Sequence, residues 1–164
     1  MAIASEVDPD EGGTVVELGG GTGSVTACLL ECGTDPDDLV VIEREPRLAE
    51  LLAARFPEVD VLRGDALKLR ALLSRRDVVQ VKAVVCGLPL LLLSPEKQKG
   101  LLEQAFALMT PGGPFVQVTY GFGPPVVAAV AKELGLVGMR RRWVFDNVPP
   151  AAVWTYRLAD AHSR

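Results

Sequence analysis

The sequence has 164 residues, in which 17 Lys and Arg stand against 21 Asp and Glu, so its formal charge is −4. We expect a single domain over residues 1–164, with a short extension at 1–13, and the apolar content of 49% excludes a disordered chain. The acidic balance argues against binding along a phosphate backbone, so nucleic acid is not the expected partner. No apolar run reaches the roughly 18 residues of a membrane-spanning helix, and no export-signal pattern is present, so we expect a cytoplasmic location.

Short apolar runs that alternate with helical patterns predict an α/β fold, with a mostly parallel sheet covered by helices on both faces. The predicted strands lie at Thr14–Leu18, Leu39–Ile42, Val59–Leu62, Val81–Cys86 and Phe115–Tyr120. The predicted helices lie at Ser24–Cys32, Pro46–Phe56, Ala66–Ser74, Pro95–Met109 and Pro125–Leu134. Ser94 is the expected N-cap of the helix that begins at Pro95.

The pattern changes near the end of the chain. Arg140–Phe145 and Ala152–Leu158 read as two further strands, and the joining segment Asp146–Pro150 leaves no room for a helix. We therefore expect an antiparallel hairpin at one edge of a seven-stranded sheet.

Cysteine and histidine restrict the possible chemistry. Cys28, Cys32 and Cys86 are odd in number and lie in apolar surroundings, which predicts buried reduced thiols. The only histidine, His162, is the third residue from the end of the sequence. Neither a metal site nor histidine-based catalysis is expected.

A glycine-rich segment, Glu17–Leu18–Gly19–Gly20–Gly21–Thr22–Gly23, follows the first predicted strand and opens a helix. Counted from Gly19, the sixth position is Ser24, so the dinucleotide fingerprint is not met, and no lysine of a Walker loop follows. An acid before such a loop suits a ligand with a cationic amino acid moiety and a nucleoside.

Two further acids stand at the ends of the next predicted strands. Glu43 is placed to accept both ribose hydroxyl protons, and Asp65 to accept the exocyclic amino proton of an adenine that Ala66 and Leu67 contact. Carboxyl ends of parallel strands meet at one edge of a sheet, where open α/β folds bind ligands. The glycine loop and the two acids are therefore expected to form one site.

This ordered set resembles the class I S-adenosylmethionine-dependent methyltransferases, which have a Rossmann-like fold with an antiparallel seventh strand. The resemblance implies S-adenosylmethionine as cofactor, S-adenosylhomocysteine as product, and no metal. It implies as cofactor-binding residues Glu17, Gly19, Gly21, Gly23, Glu43, Arg44, Gly64, Asp65, Ala66 and Gly87.

The acceptor of the methyl group is expected at the end of the fourth strand, at Gly87–Leu90. Enzymes that methylate an adenine have a motif there of Asn or Asp, an apolar-Pro pair and an aromatic residue. Gly87 and Leu90 stand at the polar and aromatic positions, so both base-handling groups are missing.

The sequence is more similar to the bacterial phospholipid N-methyltransferases, which convert phosphatidylethanolamine stepwise to phosphatidylcholine. The shared segments are Val16–Gly19, Ile42–Arg44, Arg55–Pro57, Gly64–Ala66, Gly87–Leu90, Pro114–Tyr120, Asn147–Ala151 and Val153–Trp154. This resemblance implies a lipid amine as substrate and a peripheral position at the inner face of the membrane. Two other functions stay open: an rRNA adenine-N6 dimethyltransferase-like enzyme, and a non-catalytic S-adenosylmethionine-binding subunit.

The resemblance also implies the residues that meet the acceptor, which are Gly87, Leu88, Pro89 and Tyr120. Backbone carbonyls at Gly87 and Leu88 are candidates to accept amine hydrogen bonds, and Tyr120 to orient the head group. A bulkier residue at Gly87 is expected to block the acceptor without weakening cofactor binding. Basic residues, among them Arg140–Arg142 and Lys97, are candidates either for lipid headgroup contact or for solvated surface charge. The oligomeric state is not predicted.

Overall fold

The computed structural model describes residues 6–8, 10–76, 78, 80–119, 123–144 and 151–159. They form one seven-stranded sheet with the order β3-β2-β1-β4-β5-β7-β6. The strands are β1 (Thr14–Leu18), β2 (Leu39–Glu43), β3 (Asp60–Arg63), β4 (Val81–Cys86), β5 (Phe115–Thr119), β6 (Leu136–Val144) and β7 (Ala151–Leu158).

Strands β1 to β5 are parallel to one another, whereas β7 runs antiparallel to both β5 and β6. The predicted hairpin at the edge of the sheet is therefore confirmed. Its first strand starts at Leu136, earlier than predicted, because the edge strand pairs with β7 from Leu136↔Leu158 onward. The predicted linker at 146–150, and Phe145 before it, lie outside the described residues.

Helices cover both faces of the sheet, as predicted. They are α1 (Ser24–Glu31), α2 (Pro46–Arg55), α3 (Leu69–Leu73), α4 (Pro95–Leu108) and α5 (Ala128–Glu133). One core cluster packs Leu29 of α1 and Leu52 of α2 against β1, β2 and β4. The other packs Leu69, Leu101 and Val130 of α3, α4 and α5 against the opposite face.

Two predicted helices differ from the structure for local reasons. Ala66–Ser74 divides into a 3₁₀ turn at Ala66–Lys68 and the short helix α3, because the Asp65 side chain caps the turn by accepting a hydrogen bond from the Leu67 N–H, 3.0 Å. Helix α5 begins at Ala128 rather than Pro125. The Val127 N–H is held from outside the helix by Oε1 of Gln98, 3.0 Å.

The three cysteines are free, and Cys28 and Cys86 are buried as the sequence predicts, whereas Cys32 is only half-buried. Burial raises the pKa of the Cys86 thiol to about 12, so this thiol stays protonated. Within the described ranges, no helix combines the length and the apolar character needed to cross a membrane.

The segment before β1 is held onto the sheet by a buried cation. Lys82 of β4 is 3% exposed, and its ammonium donates to the backbone carbonyls of Asp8, 3.1 Å, and Glu11. Glu6 adds a second anchor, since its carboxylate accepts from the Thr155 hydroxyl, 2.8 Å. The same carboxylate forms an ion pair with Arg141 of the edge strand, 3.1 Å.

We predict that Lys82→Met lowers the free energy of unfolding by about 1–3 kcal/mol, because two carbonyl groups lose their donor. Urea denaturation measures the change. Lys97→Met, which removes an exposed ammonium with no partner among the described residues, should alter stability by less than about 0.5 kcal/mol. Equal effects of the two substitutions would show that Lys82 does not anchor the segment.

Candidate active site

The carboxyl ends of β1, β2, β3 and β4 are joined by backbone hydrogen bonds that continue beyond the strands. The Gly19 N–H donates to the Ile42 carbonyl, 2.8 Å, and the Gly64 N–H to the Glu43 carbonyl, 2.9 Å. The Gly87 N–H donates to the Leu18 carbonyl, 2.9 Å. The loops that follow all four strands are therefore placed side by side, as the sequence predicts.

The glycine loop can make this approach only with glycine at its contact points. Gly19 has φ +79°, and a Cβ there would lie 2.6 Å from Cδ2 of Leu88. Gly21 has φ +54° and open space where a Cβ would point, so this part of the loop faces solvent. Gly23 is buried against Phe56, and its predicted contact with a cofactor stays a prediction.

Glu43 connects the loop to the end of β2. Its Oε2 accepts a hydrogen bond from the Gly21 N–H, 2.9 Å, and its Oε1 accepts one from the Glu45 N–H, 2.8 Å. The side chain is 8% exposed and lines the cleft at this edge of the sheet. Each carboxylate oxygen has a second lone pair, so the group can still accept hydrogen bonds from a ligand.

Glu17 lies behind the loop, where it is fully buried. Its Oε2 accepts from the Thr26 hydroxyl, 2.7 Å, and its Oε1 has no hydrogen-bond partner among the described residues. Burial, assisted by the charge of Glu43, raises its pKa to about 8, and the Thr26 hydrogen bond opposes this shift. The direct contact with the cofactor predicted for Glu17 stays a prediction.

A cleft of about 220 Å³ opens between these loops. Of the predicted site residues, its lining contains Gly19, Glu43, Arg44, Gly64, Asp65, Ala66, Leu88 and Pro89. Ile42, Leu67, Leu92 and Leu93 complete the wall. Glu17, Gly21, Gly23 and Gly87 are near it in the chain but outside this lining, and Tyr120 lies outside the described residues.

Two buried glutamines, which sequence reasoning did not single out, hold the loop after β4. Gln98 of α4 donates from Nε2 to the Leu90 carbonyl, 2.7 Å. Gln117 of β5 donates to the Leu88 carbonyl, 2.8 Å, and its own Oε1 has no partner among the described residues. A single amide side chain within an apolar strand or helix face is the sequence signal that could have identified them.

Gly87 is exposed at the end of β4, and the glycine loop lies directly beside it. A Cβ at Gly87 would lie 3.0 Å from the Gly19 carbonyl oxygen. A side chain at Gly87 would therefore also contact the loop after β1, and the expectation that a bulkier residue there blocks the acceptor without weakening cofactor binding stays a prediction.

Comparison with known proteins agrees with this geometry. A family model described as a methyltransferase domain matches residues 15–113, more than half of the chain. The chain belongs to the class I S-adenosylmethionine-dependent methyltransferase domains. The match ends before β5, so the hairpin and α5 are supported by the structural comparison below.

The similar proteins are named for methylation of different acceptors, a lipid and ribosomal RNA. An ornithine lipid N-methyltransferase of Singulisphaera acidiphila is 36% identical over 108 residues, which cover 64% of this chain and 56% of the relative. A ribosomal RNA small subunit methyltransferase A of Sinorhizobium medicae is 44% identical over 71 residues, covering 41% of this chain and 25% of that protein. The methyltransferase domain thus spans little more than half of one relative and a quarter of the other.

A solved structure of a TehB-like methyltransferase from Corynebacterium glutamicum superposes with a TM-score of 0.65 at 16% identity. It covers 96% of this chain and 85% of that chain. The similarity extends through the C-terminal strands and supports the Rossmann-like fold of the entire methyltransferase domain.

The cleft presents hydrogen-bond acceptors of the kind that the family's cofactor needs. The carboxylate of Glu43 lines the cleft with lone pairs to spare, and Asp65 accepts the Leu67 N–H with Oδ1 while its Oδ2 has no hydrogen-bond partner among the described residues. Ile42, Ala66 and Leu67 form an apolar part of the cleft wall. We therefore find that the described residues fit S-adenosylmethionine.

We predict that Glu17 makes the stability of the methyltransferase domain fall with pH. Below the ordinary carboxyl pKa of 4.5, both states hold the proton and the stability is complete. Between about 4.5 and 8 the unfolded chain ionises while the folded chain keeps its proton. The free energy of unfolding therefore falls by on the order of 3–5 kcal/mol over this range, since one pKa unit corresponds to about 1.4 kcal/mol.

Urea unfolding at a series of pH values from 5 to 8 tests this prediction. Glu17→Gln cannot ionise, so its curve should be flatter than the wild-type curve. Glu58→Gln removes an exposed carboxylate and serves as the matched control, with the wild-type slope. Parallel curves for Glu17→Gln and the wild type would contradict the assignment.

Proposed function

We propose that this chain is an N-methyltransferase for the amine of a membrane lipid, with phosphatidylethanolamine and its methylated intermediates as acceptors. The observation that carries the proposal is the aliphatic acceptor side of the cleft, formed by Leu88, Pro89, Leu92 and Leu93. Leu90, at the position of the base-stacking aromatic residue, is 1% exposed and cannot face a ligand. Such a wall suits the glycerol and acyl portion of a lipid better than a flipped base.

The similarity to an ornithine lipid N-methyltransferase supports a lipid amine as the class of acceptor. Ornithine lipid and phosphatidylethanolamine both have an amine close to a hydrophobic tail. The two lipids are therefore the acceptors to compare, and phosphatidylethanolamine is our first candidate.

The cofactor, when bound, supplies an electrophilic methyl group on a sulfonium. The residues of this chain have to hold the nucleoside, exclude water and orient the amine. Glu43 accepts the ribose hydroxyls, Asp65 accepts the adenine amino proton, and Ala66 and Leu67 contact the ring. The glycine loop lets the backbone come close to the amino acid portion.

In this proposal the backbone carbonyls of Gly87 and Leu88 accept hydrogen bonds from the lipid amine and so orient it. Gln117 fixes the Leu88 carbonyl by donating one hydrogen bond, and the second lone pair of that oxygen stays available to the amine. The acids of the described cleft lining, Glu43 and Asp65, are assigned to the cofactor. Loss of the ammonium proton is therefore assigned to solvent water before the amine enters the apolar part of the cleft.

A second candidate is methylation of an rRNA adenine. The 44% identity to a ribosomal RNA methyltransferase over 71 residues favours it. The missing polar side chain at Gly87 and the buried Leu90 weigh against it. A cofactor-binding subunit without catalysis is the third candidate, and it predicts binding of S-adenosylmethionine without transfer to any acceptor.

Transfer of a radiolabelled methyl group tests the proposal. Vesicles of phosphatidylethanolamine, vesicles with ornithine lipid, and 30S ribosomal subunits are offered in parallel to the purified chain. We expect label in phosphatidylethanolamine. Label found only in ornithine lipid would support a lipid amine as the acceptor class but contradict phosphatidylethanolamine as the acceptor. Label found only in rRNA would overturn the proposal.

A further inference from the structure

The loop after β4 exposes two neighbouring leucines at the rim of the cleft. They belong to a single 3₁₀ turn, Leu90–Leu92, which we name the leucine turn. Leu90 is buried, whereas Leu91 is 53% exposed and Leu92 is 82% exposed. Leu92 also lines the cleft, so the exposed apolar surface is continuous with the acceptor side of the site.

The exposure of these leucines is built into a well-held backbone. The Leu92 N–H donates to the Pro89 carbonyl and the Leu93 N–H to the Leu90 carbonyl, both 2.9 Å. Gln98, which is fully buried, holds the Leu90 carbonyl from below and also accepts the Val127 N–H. The turn is thus fixed to α4 and to the start of α5 with its two leucines pointing outward.

Three cations belong to segments next to the cleft and the leucine turn, and the exposed acids Glu45 and Glu96 lie in the same segments. Arg44 lines the same cleft, Lys68 follows the cleft residue Leu67, and Lys97 lies in the first turn of α4, just after the leucine turn. All three are exposed, and none has an ion-pair partner among the described residues. Exposed leucines with unpaired cations in the neighbouring segments suit the apolar interior and the anionic phosphates of a lipid surface.

We propose that the leucine turn is the membrane-docking element of this chain. Leu91 and Leu92 insert at the boundary of the acyl chains, while Arg44, Lys68 and Lys97 contact the headgroup phosphates. Because Leu92 belongs to the wall of the cleft, docking places a lipid amine at Gly87 and Leu88. This inference rests on the proposed lipid function and adds to it the surface through which the lipid enters.

Sedimentation with vesicles of phosphatidylethanolamine and phosphatidylglycerol tests the inference without any methyl transfer. We expect the wild-type chain to sediment with these vesicles, and less with phosphatidylcholine vesicles or at high salt. The double substitution Leu91→Ser and Leu92→Ser should lower the partition coefficient by about ten-fold or more. Leu158→Ser is the matched control, since Leu158 is 50% exposed and lies in β7 beyond the amino end of β5, away from the cleft, and its partition should equal that of the wild type.

Thermal unfolding shows that each variant is folded. No binding of the wild type to vesicles, or equal binding of the double variant, would overturn the inference. Concentration-dependent self-association that the double variant loses, without vesicle binding, would show a contact between copies and overturn it as well. Vesicle binding through the leucine turn without lipid methylation would instead contradict the proposed function.

Discussion

The carboxylate of Glu43 is the interaction on which the site depends. This single buried side chain accepts hydrogen bonds from the Gly21 N–H in the loop after β1 and from the Glu45 N–H just before α2. A charged acceptor makes stronger hydrogen bonds than a neutral one, especially where water is partly excluded. The glycine loop, which has few side chains to pack, therefore has its position set by the end of the neighbouring strand.

The acceptor side of the cleft is held by a different kind of contact. Gln98 and Gln117 are buried amides that support the carbonyl groups of Leu90 and Leu88 from beneath the loop. A buried carbonyl without a hydrogen-bond donor costs free energy, so each amide favours the one loop conformation in which its carbonyl is paired. The cleft thus joins a polar half, suited to a nucleoside, to an aliphatic half that opens toward the exposed leucines.

Much of the fold could be predicted, because apolar runs and glycine or proline breaks are local signals. The bounds of β1 and β4 agree with the predicted Thr14–Leu18 and Val81–Cys86. The positions of Glu43 and Asp65 at one edge also followed from the sequence, since parallel strands bring their carboxyl ends together. The predicted first residue of a helix was less accurate where a side chain far away in the sequence holds the helix start, as Gln98 does for α5.

Other features depend on contacts between residues far apart in the chain. The complete burial of Glu17, the support of the leucine turn by Gln98, and the clamp of Lys82 on Asp8 and Glu11 have no local pattern. The proximity of Gly87 to the Gly19 carbonyl is of the same kind, and the effect expected of a bulkier residue at this glycine stays a prediction. Tyr120 keeps its predicted role only as a prediction, because it lies outside the described residues.

Calorimetric titration with S-adenosylmethionine tests most directly whether Glu43 organises the cofactor site. Wild type should bind, and Glu43→Gln should bind at least about ten-fold more weakly, because an amide presents a donor where two N–H groups and a ribose need acceptors. Glu45→Gln changes the adjacent exposed acid and should retain wild-type affinity. Equal affinities for wild type and Glu43→Gln would contradict the central role given to this carboxylate.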